Sequence, residues 1–264
     1  MNERKHETLI VEFAHRVATV TLNRPEVRNA FNETMIAELT AVFRDLSARD
    51  DVRSVVLGAN GKAFCAGADL NWMKKMAGYS EDENRADALR LADMLWSIYH
   101  CGKPVIARVN GDAYAGGMGL IAACDIVIAV DTAHFCLSEA RLGLIPATIA
   151  PYVIRALGER ASRRYFTTAE QFDCTTALRL GFVSEAVSED RLDDAVQQLA
   201  AILCSNGPLA VSASKQLVHD IAGRDLDRAL LEETAARIAR VRASVEGREG
   251  IASFLEKRAP SWRN

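Results

Sequence analysis

The sequence has no excess of basic residues: Lys and Arg number 32 against 35 Asp and Glu, a formal net charge of -3. With no stripe of interleaved basic and aromatic residues, that balance argues against nucleic acid or an anionic membrane as a partner. No apolar run approaches the roughly 20 residues needed to span a bilayer. The opening MNERKHETLIVEF lacks the apolar core of a secretory signal. The six cysteines, Cys65, Cys101, Cys124, Cys136, Cys174 and Cys204, show no CxxC spacing and lie mostly in apolar company. They are expected to be reduced core thiols of a cytoplasmic protein rather than disulfides. The five histidines form no HxxxH or HExxH pair, so no metal site is expected. Low-complexity tracts and clean repeats are also missing.

What remains is an ordinary globular composition, 49% apolar and 25% charged over 264 residues. Thr8 to Phe13 and Val17 to Leu22 alternate around Ala14-His15-Arg16, a hairpin signal. Asn23-Arg24-Pro25 ends the second strand. Asn32 is the expected N-cap of a helix from Glu33 to about Arg49, with Met35, Ile36, Leu39, Val42, Phe43 and Leu46 on one stripe. Val52 to Leu57, Pro104 to Val109, Ile126 to Val130 and Phe135 to Leu137 read as strands, and Asp82 to His100 as a helix. Strands and helices thus alternate through about residue 190, an α/β core with largely parallel strands. Residues 191–264 read as all helical, over Arg191 to Cys204, Leu209 to Ile221, Leu226 to Val245 and a last helix from about Arg248 to before Pro260.

Two strand-to-helix turns are crowded with small residues. One is Arg108 to Asp125, RVNGDAYAGGMGLIAACD, holding Gly111, Gly116, Gly117 and Gly119. The other is Asn60 to Met73, NGKAFCAGADLNWM, which runs into a short helix from Asp69. Either turn reads as close backbone packing or as an exposed N–H group. Two such donors converging make an oxyanion hole. Gly61-Lys62 is not a phosphate loop, since the upstream glycine and the following Ser or Thr are missing.

In this order and spacing, AFCAGADL, NGDAYAGGMGLIAACDIVIA and FCLSEARLGLIP resemble the enoyl-CoA hydratase/isomerase (crotonase) superfamily. The opening VATVTLNRPEVRNAFN and the closing FLEKRAPSW match as well. The resemblance implies a fold of repeated ββα units with a C-terminal helical trimerisation region, and a homotrimer or a dimer of trimers. It implies an acyl-CoA thioester whose carbonyl oxygen sits between the Ala68 and Gly116 N–H groups, beside Gly117 and Gly119. It lays the CoA arm along Val27, Arg28 and Ala30 and along Ala66, Asp69 and Leu70. A neighbouring subunit's Phe254 and Lys257 would reach the CoA nucleotide. No metal or redox cofactor is implied, since CoA belongs to the substrate.

One departure stands out. Typical hydratases carry two glutamates, and one of those positions is Gly119 here. The other is Glu139, either a surface residue at a helix start or a partly buried acid whose carboxyl is raised for proton transfer. GGMGL together with SEARLGLIPATIAPYVIRALGERASRRYF resembles bacterial methylglutaconyl-CoA and isohexenylglutaconyl-CoA hydratases, which act on branched acyl groups with a second carboxylate. Arg141 is the leading cation for that carboxylate, with Lys74, Lys75 and Arg108 behind it. The alternative for Arg141 is pairing with an acid in the core. Asp112, Tyr114 and Met118 are candidates to line the acyl pocket. Trp72 and Met73 either join them or belong to the core, and Asp125 reads as a structural cap. The function expected is hydration of a 2-enoyl-CoA. A Δ3-Δ2 enoyl-CoA isomerase, which needs only one base, and a non-catalytic or RNA-associated scaffold are the alternatives.

Overall fold

The computed structural model describes residues 6–263. The chain divides into two compact units, one running to Gln198 and one starting at Leu199.

The first unit repeats a strand–strand–helix pattern. Strands β1 (Leu9–Ala14) and β2 (Val17–Leu22) form an antiparallel hairpin. His15 and Arg16 both take positive φ in its two-residue turn, which matches the right-handed twist of the flanking strands. Helix α1 (Glu33–Ala48) follows, and the Asn32 side chain accepts the Met35 N–H at its start. The six residues of its expected apolar stripe are its buried ones. Next come β3 (Ser54–Ala59), β4 (Ala63–Cys65), α2 (Leu70–Met76) and α3 (Glu81–Tyr99). The pattern continues with β5 (Val105–Val109), β6 (Asp112–Tyr114) and α4 (Gly116–Ala122). It runs on through β7 (Ile126–Val130), β8 (His134–Cys136), α5 (Ala150–Leu157) and α6 (Glu159–Thr168). Strand β9 (Gln171–Asp173), α7 (Cys174–Arg179) and β10 (Glu185–Val187) close it.

The β1–β2 hairpin stays in one sheet, whereas the two strands of the pairs β3/β4, β5/β6 and β7/β8 go to different sheets. One sheet has six strands in the order β1-β2-β3-β5-β7-β10, parallel from β2 onward, and takes the first strand of each of those three pairs. Their second strands, joined by β9, build a four-stranded sheet, β4-β6-β8-β9, in which β4, β6 and β8 run parallel. Strand β3 is buried along its whole length, and β5 and β7 nearly so. This explains why their sequences are continuous rather than alternating apolar runs: both faces are covered. Asp125 takes the Val105 N–H at 2.7 Å, the structural role read from sequence. All six cysteines are free.

Helices α5 and α6 were not anticipated. Each is short, and Gly158 at φ +76 ends one and starts the next, so neither presents a long periodic window. Strands β9 and β10 escaped notice because three residues carry no readable alternation.

The second unit is helical. It comprises the end of α8 (Leu192–Ser205), then α9 (Pro208–Ile221), α10 (Arg228–Ala243) and α11 (Val245–Leu255). The last helix begins at Val245, three residues before the expected start, because the Ser244 hydroxyl caps it by accepting the Gly247 N–H. Glu246 reaches across to the start of α9 and accepts the Leu209 and Ala210 N–H groups at 3.0 and 2.7 Å, where Gly207 offers no side-chain cap. Among the described residues no helix is long and apolar enough to cross a membrane.

Candidate active site

The three segments singled out in the sequence leave the same end of the small sheet. Ala68 lies three residues past the end of β4, Gly116 two past β6, and Glu139 three past β8. Adjacent parallel strands stand about 4.8 Å apart. The strand order therefore sets Ala68, Gly116 and Glu139 side by side, with Gly116 in the middle.

Direct contacts tie these segments together. Gly67 has φ +90, and a Cβ on it would stand 3.1 Å from the Ala115 Cβ and 3.9 Å from the Gly116 nitrogen. The Ala115 N–H donates to the Cys136 carbonyl at 2.8 Å, joining the β6 turn to β8. A Cβ on Gly116 would overlap the Phe31 ring at 2.4 Å, and one on Gly117 would meet the Cys65 carbonyl oxygen at 2.5 Å. These two glycines are where ring and backbone come too close for a side chain.

The orientation of Ala68 follows from its neighbours. Phe31 forms an isolated parallel bridge to it. The Phe31 N–H donates to the Gly67 carbonyl at 2.7 Å, and the Asp69 N–H donates to the Phe31 carbonyl at 2.8 Å. The residue between those two groups turns its own N–H to the opposite side. Among the described residues the Ala68 N–H makes no hydrogen bond. Gly116 opens α4, so its N–H has no intrahelical acceptor either. Ala115 before it sits at φ 48, ψ -119, a conformation that costs an alanine about 1–3 kcal/mol. Both donors are half-buried rather than sealed off.

Glu139 begins a single 3-10 turn that ends at Leu142. Its Oε2 is buried with no hydrogen-bond partner. Burial pushes its carboxyl above the ordinary glutamate value, against a smaller opposing pull from its own N–H. An unsatisfied buried carboxylate oxygen at a site edge can take a proton from water or from carbon.

Gly119 faces no acid. A Cβ there would lie 2.3 Å from the Ile149 Cγ2 and 3.7 Å from the Leu95 Cδ2. The room that a second glutamate side chain would need is filled by Ile149, a residue the sequence reading did not single out. Arg24 and Phe31 were missed too; the only signal at Arg24 was a strand ending at Pro25.

The expected binding residues fall as follows. Ala30 and Asp69 are buried, Ala66 is half-buried, and Val27, Arg28 and Leu70 are exposed. Two backbone bonds, Ala66 N–H to the Arg28 carbonyl and Phe31 N–H to the Gly67 carbonyl, zip residues 28–31 to residues 66–69. Among the described residues Arg141 pairs with no core acid; it donates to the Ala169 carbonyl at 2.5 Å. Lys75 is paired with Glu33 and Arg108 with Asp193, whereas Lys74 is exposed. Tyr114 donates to Asp112 at 2.8 Å, and its phenol is pushed up to about 12 by burial and by that carboxylate. Met118 is fully buried in the core, and Trp72 is buried with its ring N–H toward Asp87. Phe254 stands exposed in the last turn of α11 and Lys257 just beyond it. Among the described residues no group of three or more His, Cys, Asp or Glu is placed to hold a metal ion.

Comparison with known proteins shows the family and the fold. The enoyl-CoA hydratase/isomerase family model matches residues 12–264. The crystal structure of an enoyl-CoA hydratase from Shewanella pealeana is similar at TM-score 0.95 and 43% identity, over 98% of this chain and 97% of that one. The 2,3-dehydroadipyl-CoA hydratase of Escherichia coli is 32% identical over 97% of this chain and 98% of its own length. The short-chain-enoyl-CoA hydratase of Clostridium acetobutylicum is 32% identical over 95% of each.

Two outcomes are expected from this packing and burial. Gly119→Glu alone should destabilise the fold by about 1–3 kcal/mol or more through overpacking. Adding Ile149→Gly should recover part of the loss, and denaturant unfolding of the single and double variants measures both. Glu139→Gln should be more stable than the parent at neutral pH. The folded carboxyl holds its proton more tightly than the unfolded one, so the parent loses stability as pH rises from the ordinary glutamate value to the folded one. The variant's advantage should therefore grow across that interval, level off above it, and vanish below about pH 4. Melting curves across pH that stay parallel would contradict the assignment.

Proposed function

Because the chain belongs to the enoyl-CoA hydratase/isomerase family, we propose that it adds water across the double bond of a branched, glutaconyl-type 2-enoyl-CoA. At the general level it is an enzyme, a lyase of the hydratase type. The observation that carries the proton-transfer role is the orphaned, buried Glu139 oxygen, three residues past β8, the strand next to the one that leads into Gly116. The glutaconyl-type substrate rests on the sequence resemblance and on Arg141 two residues further on.

The thioester carbonyl oxygen accepts hydrogen bonds from the Ala68 and Gly116 N–H groups. Each donor is worth roughly 3–4 kcal/mol to the developing enolate. Glu139 takes a proton from water as the oxygen bonds to the β-carbon, and the double-bond electrons move onto the carbonyl oxygen. The same carboxyl then returns that proton to the α-carbon, directly or through a water, and the enolate collapses to the saturated thioester. One proton makes a round trip, so one acid suffices and atoms balance. No metal or redox cofactor enters. CoA runs along residues 27–30 and 66–70, and Phe254 and Lys257 from a neighbouring copy meet its nucleotide. The exposed Leu226, Val245, Phe254 and Leu255 supply apolar surface for the homotrimer, or dimer of trimers, that this needs. Arg141, two residues past Glu139 and held by one guanidinium arm on the Ala169 carbonyl, faces the distal carboxylate of the acyl group.

A single base also serves allylic isomerisation, and Ile149 in place of a second acid favours that alternative equally. Incubation with 2-enoyl and 3-enoyl thioesters in heavy-oxygen water separates the two. Hydration puts label into the product, whereas isomerisation leaves it unlabelled. Glu139→Gln should lower kcat on the order of 10²- to 10⁴-fold while acyl-CoA still binds. Turnover within a fewfold of the parent would reject the role. Sedimentation of the parent at micromolar concentration as a monomer would reject the shared CoA site.

A further inference from the structure

We propose that Arg24 is a positioning residue for the Ala68 N–H, acting through Asp69 and the Ala30 carbonyl without touching the substrate. The assignment rests on the two-donor reading above and adds to it what keeps one donor aimed.

Arg24 leaves the end of β2 with its backbone fully committed. Its N–H donates to the Asn29 Oδ1 at 2.9 Å, and its carbonyl accepts from the Val27 and Asn29 N–H groups. Its guanidinium then spans two loops. One arm donates to the Ala30 carbonyl at 2.6 Å and the other to the Asp69 Oδ2 at 2.9 Å. The Asp69 side chain is only 7% exposed and that of Arg24 18%. Asp69 is therefore held at every polar group: Oδ2 by Arg24, Oδ1 by the Asn71 and Trp72 N–H groups, and its own N–H by the Phe31 carbonyl. Burial pushes its carboxyl up, but the Arg24 bond and those N–H groups outweigh it and hold it below the usual aspartate range.

Ala68 is the residue immediately before this anchor. Without Arg24, Asp69 is a buried carboxylate with no counter-ion, which it cannot remain. It either takes a proton or turns toward solvent, and either change rotates the peptide that carries the Ala68 N–H. A displacement of about 1 Å at a positioned group costs roughly 10²-fold in rate. Lysine at position 24 could neutralise Asp69 but lacks the planar fork that reaches both acceptors at once.

The test uses the full chain with Arg24→Gln, Arg24→Lys, Asp69→Asn and the Arg24→Gln/Asp69→Asn double variant. Three quantities are read: kcat and KM on a 2-enoyl-CoA, the melting temperature, and the infrared carbonyl stretch of a bound, unreactive saturated acyl-CoA. Arg24→Gln should lower kcat roughly 10²-fold, keep KM within about threefold and shrink the downshift of the carbonyl stretch. Arg24→Lys should fall between the two while melting near the parent temperature. The double variant should be no worse than the worse single one, since both act through one unit. If Arg24→Gln does not fold, the lysine variant decides. A carbonyl stretch and kcat equal to the parent's in that variant would overturn the proposal. So would a raised KM with the full carbonyl shift, or additive losses in the double variant. A parent complex with no carbonyl shift would reject the two-donor reading itself and this inference with it.

Discussion

One residue decides which way the first donor faces. Phe31 takes the carbonyl on one side of Ala68 and the N–H on the other, and its ring closes over Gly116. The backbone bonds turn the Ala68 N–H away from Phe31, and the ring leaves no room for a side chain where the second donor opens α4. The proposed oxyanion hole would depend on backbone pairing outside both glycine-rich turns. Such a hole would be preorganised in the sense that matters for charge stabilisation, its dipoles fixed before substrate arrives. The fold supplies the rest by repetition. Three successive strand pairs send their second strands, β4, β6 and β8, to the small sheet, so three unrelated turns emerge at neighbouring positions of one sheet end.

The strain at Ala115 belongs to the same design. A non-glycine residue at φ 48 and ψ -119 persists only where its surroundings over-determine it. Here the Ala115 N–H is fixed to the Cys136 carbonyl, and the Gly67 backbone packs against its side chain. Those two contacts hold the peptide that presents the Gly116 N–H. Relaxing Ala115 would turn that donor. The cost is a few kcal/mol at most, against the roughly 3–4 kcal/mol per donor that the proposed oxyanion contacts would supply in the transition state.

How much of this could be read from the chain depends on whether the interaction is local. The stripe on α1 and the Asn32 cap are periodic or adjacent in sequence, and the structure reproduces them residue for residue. The two small-residue turns stood out because crowding of glycine and alanine is a composition signal. Glu139 stood out as a carboxylate between two apolar runs. By contrast, Arg24 bonds Asp69 across 45 positions, and Ile149 fills the space beside Gly119 from 30 residues downstream. Nothing near either residue in sequence marks it, because long-range pairing leaves no periodicity. The short helices α5 and α6 were hidden for a different reason, their interruption at Gly158. For the charged candidates, sequence could name cations but could not say which were already taken, as Lys75 and Arg108 are.

The apolar replacement at Gly119 changes how Glu139 comes by its proton affinity. Two carboxylates facing one substrate raise each other's pKa through like charge. With Ile149 in that space, no second acid contributes, and the upward push on Glu139 comes from burial. Desolvation of this kind responds to what fills the site. A bound acyl chain would exclude more water from Glu139 than the empty site does, and would raise its proton affinity further in the complex than in the free protein. A lone acid whose affinity rises on substrate binding is suited to holding the proton it has just taken from water until the enolate carbon is ready to receive it. Under the proposed mechanism the isoleucine would be part of how one carboxylate serves both proton transfers, because it occupies the space of a second acid and leaves the charge on Glu139 without a rival.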